Sequence, residues 1–355
     1  MIRLLVVVWA LFACLANAVA IPDMVDELVA TSLLKLKEYL VKNPQGNCTL
    51  ETAVRRREWG DLSKQERKAY TDAVLCLQSK PPLTSALAPG AKSRFDDYTV
   101  VHIQQTEINH DSYWNWGRYA ADPANSPLFN GDDFSLSGDG LPVAHAGINV
   151  PGTPEAFRVI PPGNGGGCIT SGPFKNMTVN LGPRMQMAVS DVPPNPRQDG
   201  LGYNPRCLRR DINKNAAEWT TTKHIYDLIT QNDNMYWFQT VLEGQFEQGK
   251  YGVHAGGHFT ISGDPGGDFY TSPSDPAFYL HHTQVDRVWW IWQMQDLEKR
   301  LLELAKTRTM RNNPPSANGT LDDWSNLGVL AGDVQVRDLM SAMGGLDGKL
   351  CYIYE

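Results

Sequence analysis

Beyond its first fifteen residues the chain has no apolar run long enough to cross a membrane, no basic cluster, no internal repeat and no low-complexity linker. Each absence excludes something. A spanning helix needs about 20 consecutive apolar residues, so no membrane partner is expected. With a net charge of −7 and no basic stretch there is no electrostatic footprint for nucleic acid. Without a repeat there is no solenoid. Without a monotonous linker there is nowhere to divide the chain. Its richest Gly/Pro stretches, 140–172 and 191–205, lie between apolar and motif-bearing segments, so residues 21–355 read as one domain. Cysteine is scarce as well, six in 355 residues.

The chain begins Met1-Ile2-Arg3, continues with an apolar run from Leu4 to Leu15, and then has small residues, Ala16-Asn17-Ala18-Val19-Ala20. A cation, a short apolar run and a small-residue site make a secretory signal peptide over residues 1–20, with cleavage expected after Ala18 or Ala20. The mature protein is therefore expected to be soluble, secreted and extracellular. Three acceptor sequons, at Asn47, Asn176 and Asn318, fit a glycoprotein. Cys14 leaves with the signal. Cys48, Cys76, Cys168, Cys207 and Cys351 remain, an odd number where disulfides are expected, so one has no partner.

Apolar spacing through Val25, Leu28, Val29, Leu33, Leu36 and Leu40 predicts a helix over 21–41. Ser63-Lys64-Gln65-Glu66 is a capping box that opens a helix running to about Leu77, and a Cys48–Cys76 bond is one way to tie the two segments together. Segment 93–108, carrying His102, is expected to be helical, as is 216–242 with a break near Asn232-Asp233-Asn234. The longest helix is expected over 276–307, where Phe278, His282, Val285, Val288, Trp289, Trp292 and Leu297 recur at helical intervals. Residues 126–205, dense in Gly, Pro and Asn, should be irregular with a few short strands. The fold class is mainly α with long irregular loops.

Two segments carry chemistry. In Tyr251-Gly252-Val253-His254-Ala255-Gly256-Gly257-His258, a four-residue interval puts two imidazoles on one helix face. In Asp275-Pro276-Ala277-Phe278-Tyr279-Leu280-His281-His282, Asp275 is placed to cap the long helix and Pro276 suits its first turn. Asp286, four residues after His282, reaches along the same face to orient a ligand ring or an arginine. Three histidines without a thiol favour copper or zinc, and ligand type alone leaves both open.

Together, H-x-x-x-H and D-P-x-F-x-x-H-H-x-x-x-D-R-x-W resemble the copper B signature of tyrosinases, catechol oxidases and haemocyanins. The resemblance implies His254, His258 and His282 as copper B ligands, His281 as the adjacent non-ligand histidine and Asp286 as the carboxylate behind them. Tyr113-Trp114-Asn115-Trp116 is similar to the family's Y-W-N/D-W motif, and Tyr352-Ile353-Tyr354 to the Y-x-Y motif that closes its core domain. The chain stops one residue later, which resembles the short, secreted, fungal-type members without a C-terminal lid domain. The implied fold is a four-helix bundle. The implied activity is a copper oxidoreductase that takes o-diphenols, and in some members monophenols, to o-quinones with O2. Phenol and O2 are the expected partners. By position, Glu243 matches the water-holding glutamate that assists phenol deprotonation. Phe269 matches an aromatic gate, and Phe278 a ring packed beside the copper pair. Ala255 occupies a position tied to monophenolase activity, where a small apolar residue favours diphenols.

The other half of the pattern departs from the family. The segment 94–102 resembles the one bearing the first copper A ligand, which implies His102, and His110 stands where the second is expected. The third belongs in a W-H-R motif opening a bundle helix, yet His110-Asp111-Ser112 runs straight into Tyr113. About 30 residues are missing by comparison, the length of one helix with its flanks. One bundle helix is therefore expected to be absent. Short members carry a cysteine in that stretch, so its partner is the expected orphan, with Cys351 or Cys168 as candidates. Neither His145 nor His224 lies in a context that replaces the missing ligand. The alternative to an oxidase is an inactive protein holding copper B only, or no metal.

Overall fold

A computed structural model describes residues 23–105, 112–187 and 191–355. The signal segment and His110 lie outside these described residues.

Helix α1 spans Met24–Lys42; Asp23 caps its start, accepting from the amides of Val25 and Asp26. Helix α2, Lys64–Ser79, opens with the expected box: Ser63 Oγ accepts from Glu66 N at 3.2 Å, and Ser63 N donates to Glu66 Oε2 at 2.8 Å. Helix α3, Arg94–Gln105, carries His102. The helix expected over 216–242 is divided. A short turn at Lys214–Ala217 leads into α4, Thr222–Gln231, and then α5, Met235–Glu243, with the anticipated break at 232–234 and another at Thr221. Helix α6 is Val253–Ile261 and α7 is Ala277–Gln295. The last stops well short of residue 307. At Asp296 the backbone is non-helical (φ −155°, ψ 76°), and beyond it only a four-residue turn, Leu297–Arg300, is helical.

The core is organised around α7, on which sixteen side chains are buried. Helices α1, α4 and α6 pack along it, and α3 reaches its start through the turn Ser272–Ser274. The apolar period read from the sequence thus marks an element buried on every side, and the fold is mainly α, as expected.

Two tethers fix this assembly. Strand β1 (Val54–Arg56) runs parallel to β3 (Leu350–Tyr354), with β2 (Met343–Gly344) on its other edge. Cys48 is bonded to Cys351, stapling this sheet to the end of α1. Residues 126–212 are mostly loop, held by two-residue ladders and by the Cys168–Cys207 bond. The proposed Cys48–Cys76 tie does not form, and neither Cys351 nor Cys168 is the orphan. The unpaired thiol is Cys76, exposed on α2. Spacing along the chain could not show this, because the true partner of Cys48 is 303 residues away.

Asp275 does accept from Ala277 N at 2.9 Å, but its carboxylate is also gripped by the buried Arg210, at 2.7 and 2.8 Å. That buried pair joins the loop layer to the head of α7. It places the helix start, and with it His281 and His282.

Candidate metal centre

Helix α6 begins immediately after Gly252, where an added Cβ would lie 2.0 Å from the carbonyl oxygen of Leu242. Only glycine lets the chain turn that tightly off the end of α5. One helical turn then separates His254 from His258, and both rings face α7.

The three Nε2 atoms converge. His254 Nε2 is 3.2 Å from His258 Nε2, which is 3.1 Å from His282 Nε2. Imidazole nitrogens about 2.0 Å from one ion stand a little over 3 Å apart, so this spacing is that of three donors around a single small cation. Glu243 Oε2 accepts from His254 Nδ1 at 2.9 Å. With Nδ1 held there, Nε2 is turned inward towards His258. Burial, reinforced by neighbouring imidazoles, holds His258, His281 and His282 well below the usual histidine range. Burial thus favours the neutral ring at His258 and His282, the state a metal requires. Desolvation raises the Glu243 carboxyl, but the charge and hydrogen bond of His254 outweigh it and leave the group below its usual value.

His281 is fully buried and belongs to the same cluster. One ring nitrogen from it and one from each of the other three histidines all lie within 4.8 Å of one another. Its ring packs on Trp116 at 5.2 Å and on His258 at 4.3 Å. Gly257 makes the room, since a Cβ there would stand 2.3 Å from His281 Cε1. The paired glycines between the two histidines were the available sequence signal for this close approach.

Phe278 separates this cluster from His102. It stacks on His282 at 4.1 Å and meets His102 edge-on at 5.1 Å. It is buried between the two imidazoles, where the resemblance placed a ring beside the metal pair. His102 Nδ1 pairs with the Tyr270 carbonyl at 2.9 Å, which leaves its Nε2 for another partner. Burial pushes His102 down to about 4. The Tyr270 contact is made by the backbone, so no residue type announced it. Phe269, immediately before Tyr270, is exposed and packs on that ring at 5.2 Å. Ala255 is half-buried beside His254.

Asp286 does not touch a histidine. Its carboxylate accepts from Arg56 at 3.0 Å and from the hydroxyls of Tyr352 and Tyr354, all buried. Of the two roles its spacing allowed, it takes the arginine, and the tyrosines of the closing Y-x-Y segment complete the set. The Trp114 amide, in turn, donates to Leu280 O at 3.1 Å, so the Y-W-N-W segment is laced to α7 beside the histidines. The other two described histidines stand apart. His145 Nε2 lies 3.3 Å from Asp211, and His224 Nδ1 is 2.8 Å from Thr221 Oγ1.

Residues 104–295 match the family model described as the common central domain of tyrosinase. The chain is 36% identical to the tyrosinase-like protein orsC of Emericella nidulans, across 84% of this chain and 89% of that one. It is 33% identical to tyrosinase P of Aspergillus terreus, across 84% and 91%. It is 31% identical to the N-acetyl-6-hydroxytryptophan oxidase ivoB of Emericella nidulans, across 87% and 94%. Among solved structures, a glycine-to-asparagine mutant of polyphenol oxidase from Thermothelomyces thermophila superposes with a TM-score of 0.84, at 40% identity, across 93% of this chain and 97% of that one.

Proposed function

The chain belongs to the tyrosinase family of type 3 copper oxidoreductases, and from that premise we propose that it oxidises o-diphenols to o-quinones with O2, using copper held by His254, His258 and His282. The observation that carries this reading is the convergence of three imidazole nitrogens 3.1 and 3.2 Å apart. Imidazole suits copper because it tolerates both oxidation states. Bound copper supplies the electron transfer between phenol and O2, and the balance is two diphenols and one O2 to two quinones and two waters.

The chain's own residues prepare that chemistry. Glu243 holds His254 through Nδ1 and, half exposed beside it, is a carboxylate placed to take a phenolic proton. Phe278 fixes the plane of His282. Ala255 adds no polar group beside His254, which favours diphenols over monophenols. A relative named for oxidising a hydroxylated tryptophan supports hydroxylated aromatics as the wider substrate class. We further infer export, supported by the leader-like first 20 residues, by two disulfides, and by the exposure of Asn47, Asn176 and Asn318.

The test is quinone formation from catechol by the full chain with copper in excess, read as a coloured adduct with a hydrazine trap. A matched monophenol should turn over more slowly, and H258A should give no adduct. A copper-loaded wild-type protein that yields none from any diphenol would overturn the assignment.

A further inference from the structure

The second metal position is where residues and family disagree. The sequence holds eight histidines. Four of them, His254, His258, His281 and His282, gather on one side of Phe278. His145 is turned to Asp211, and His224 to Thr221. Only His102 and His110 are left, so whatever position His110 takes, the His102 side has at most two imidazoles to set against three.

Other donors do not fill the deficit among the described residues. The carboxylate beside His102 is Asp268, fully buried and already accepting from the amides of Arg184, Met185, Tyr270 and Thr271. The one free thiol, Cys76, is exposed on α2. His281 is confined between Trp116 and His258, against Gly257. Among the described residues, then, a cation on the His102 side finds no third imidazole, and affinity falls with every imidazole exchanged for a weaker oxygen ligand or water.

We propose that this chain retains a single copper ion, at His254, His258 and His282, and that a second ion beside His102 exchanges freely with solution. Phenol turnover then requires copper in the assay and is lost when the protein is freed of excess metal. This rests on the copper reading of the three-histidine cluster and sharpens it from a paired centre to an unequal one.

The experiment is to load the full chain with excess Cu(II), dialyse it against a weak chelator, and measure copper per chain together with the integrated electron paramagnetic resonance signal. A single cupric ion gives a full signal, whereas two bridged and spin-paired ions give none. The expected result is one copper per chain with one spin per chain, the same for H102A, and none for H258A or, as a second check, H282N. Circular dichroism confirms that each variant is folded. Two coppers per chain with a silent spectrum, falling to one in H102A, would overturn the proposal. No retained copper in the wild type would overturn the copper reading itself, a result distinct from the retention of two.

Discussion

The two sides of Phe278 are built on different plans. On one, the imidazoles come from two helices, each gripped by neighbours: α7 by α1, α4 and α6, and α6 by α5 and α7. Arg210–Asp275 fixes the head of α7, and Arg56, Tyr352 and Tyr354 hold its middle through Asp286. On the other, the described imidazole, His102, is steadied by one carbonyl near the end of α3, three residues before the described segment ends. The comparison teaches that a metal half-site is as definite as the packing of the helices beneath it. The supports of α6 and α7 come from elements outside the segment around His110, so the three-histidine side does not depend on it.

The largest effect should come from making the halves equal. Inserting a helix-length segment bearing a third histidine between Ser112 and Tyr113 should double retained copper, extinguish the cupric resonance and give catechol oxidation without added metal. Metal analysis and spectroscopy read it directly. If copper stays at one, lost ligands are not what separates the two sides.

Next in size is removal of the scaffold under the stronger half. Asp286→Ala removes the carboxylate shared by Arg56, Tyr352 and Tyr354 inside the core, which costs about 1–3 kcal/mol of stability, and should lower the melting temperature and the copper content together. Asp286→Asn should do much less. Gly257→Ala forces a methyl group into His281 and should cost about 1–3 kcal/mol in thermal melts, with weaker copper binding at a nearly unchanged circular dichroism spectrum. If Gly257→Ala binds copper as tightly as the wild type, His281 does not position its neighbours. Glu243→Gln leaves the His254 ring without its anionic partner and should weaken copper affinity about tenfold, the lower end for such contacts because the side chain is half exposed. Competition with a chelator of known affinity checks it.

The stronger half was also the more legible one. Its histidines lie a helical turn apart or at a helix start, so local geometry sufficed to group them, and the box at Ser63 likewise declared the start of α2. What could not be read were partners distant in the chain. Asp286 shares a helix face with His282, but its partners sit 66, 68 and 230 positions away. The length of α7 was misjudged because Leu297 stays buried past the break at Asp296, so the apolar period continued where the helix did not. Tyr270 acts through a carbonyl, which every residue has.

The Cys48–Cys351 bond closes nearly the whole described chain into a ring. A protease that cuts an exposed loop anywhere between the two cysteines would produce two pieces that still migrate as one until a reductant is added. A clipped molecule of this kind would keep its histidine helices in register, so such cuts should reveal themselves on reducing gels well before they are felt at the metal.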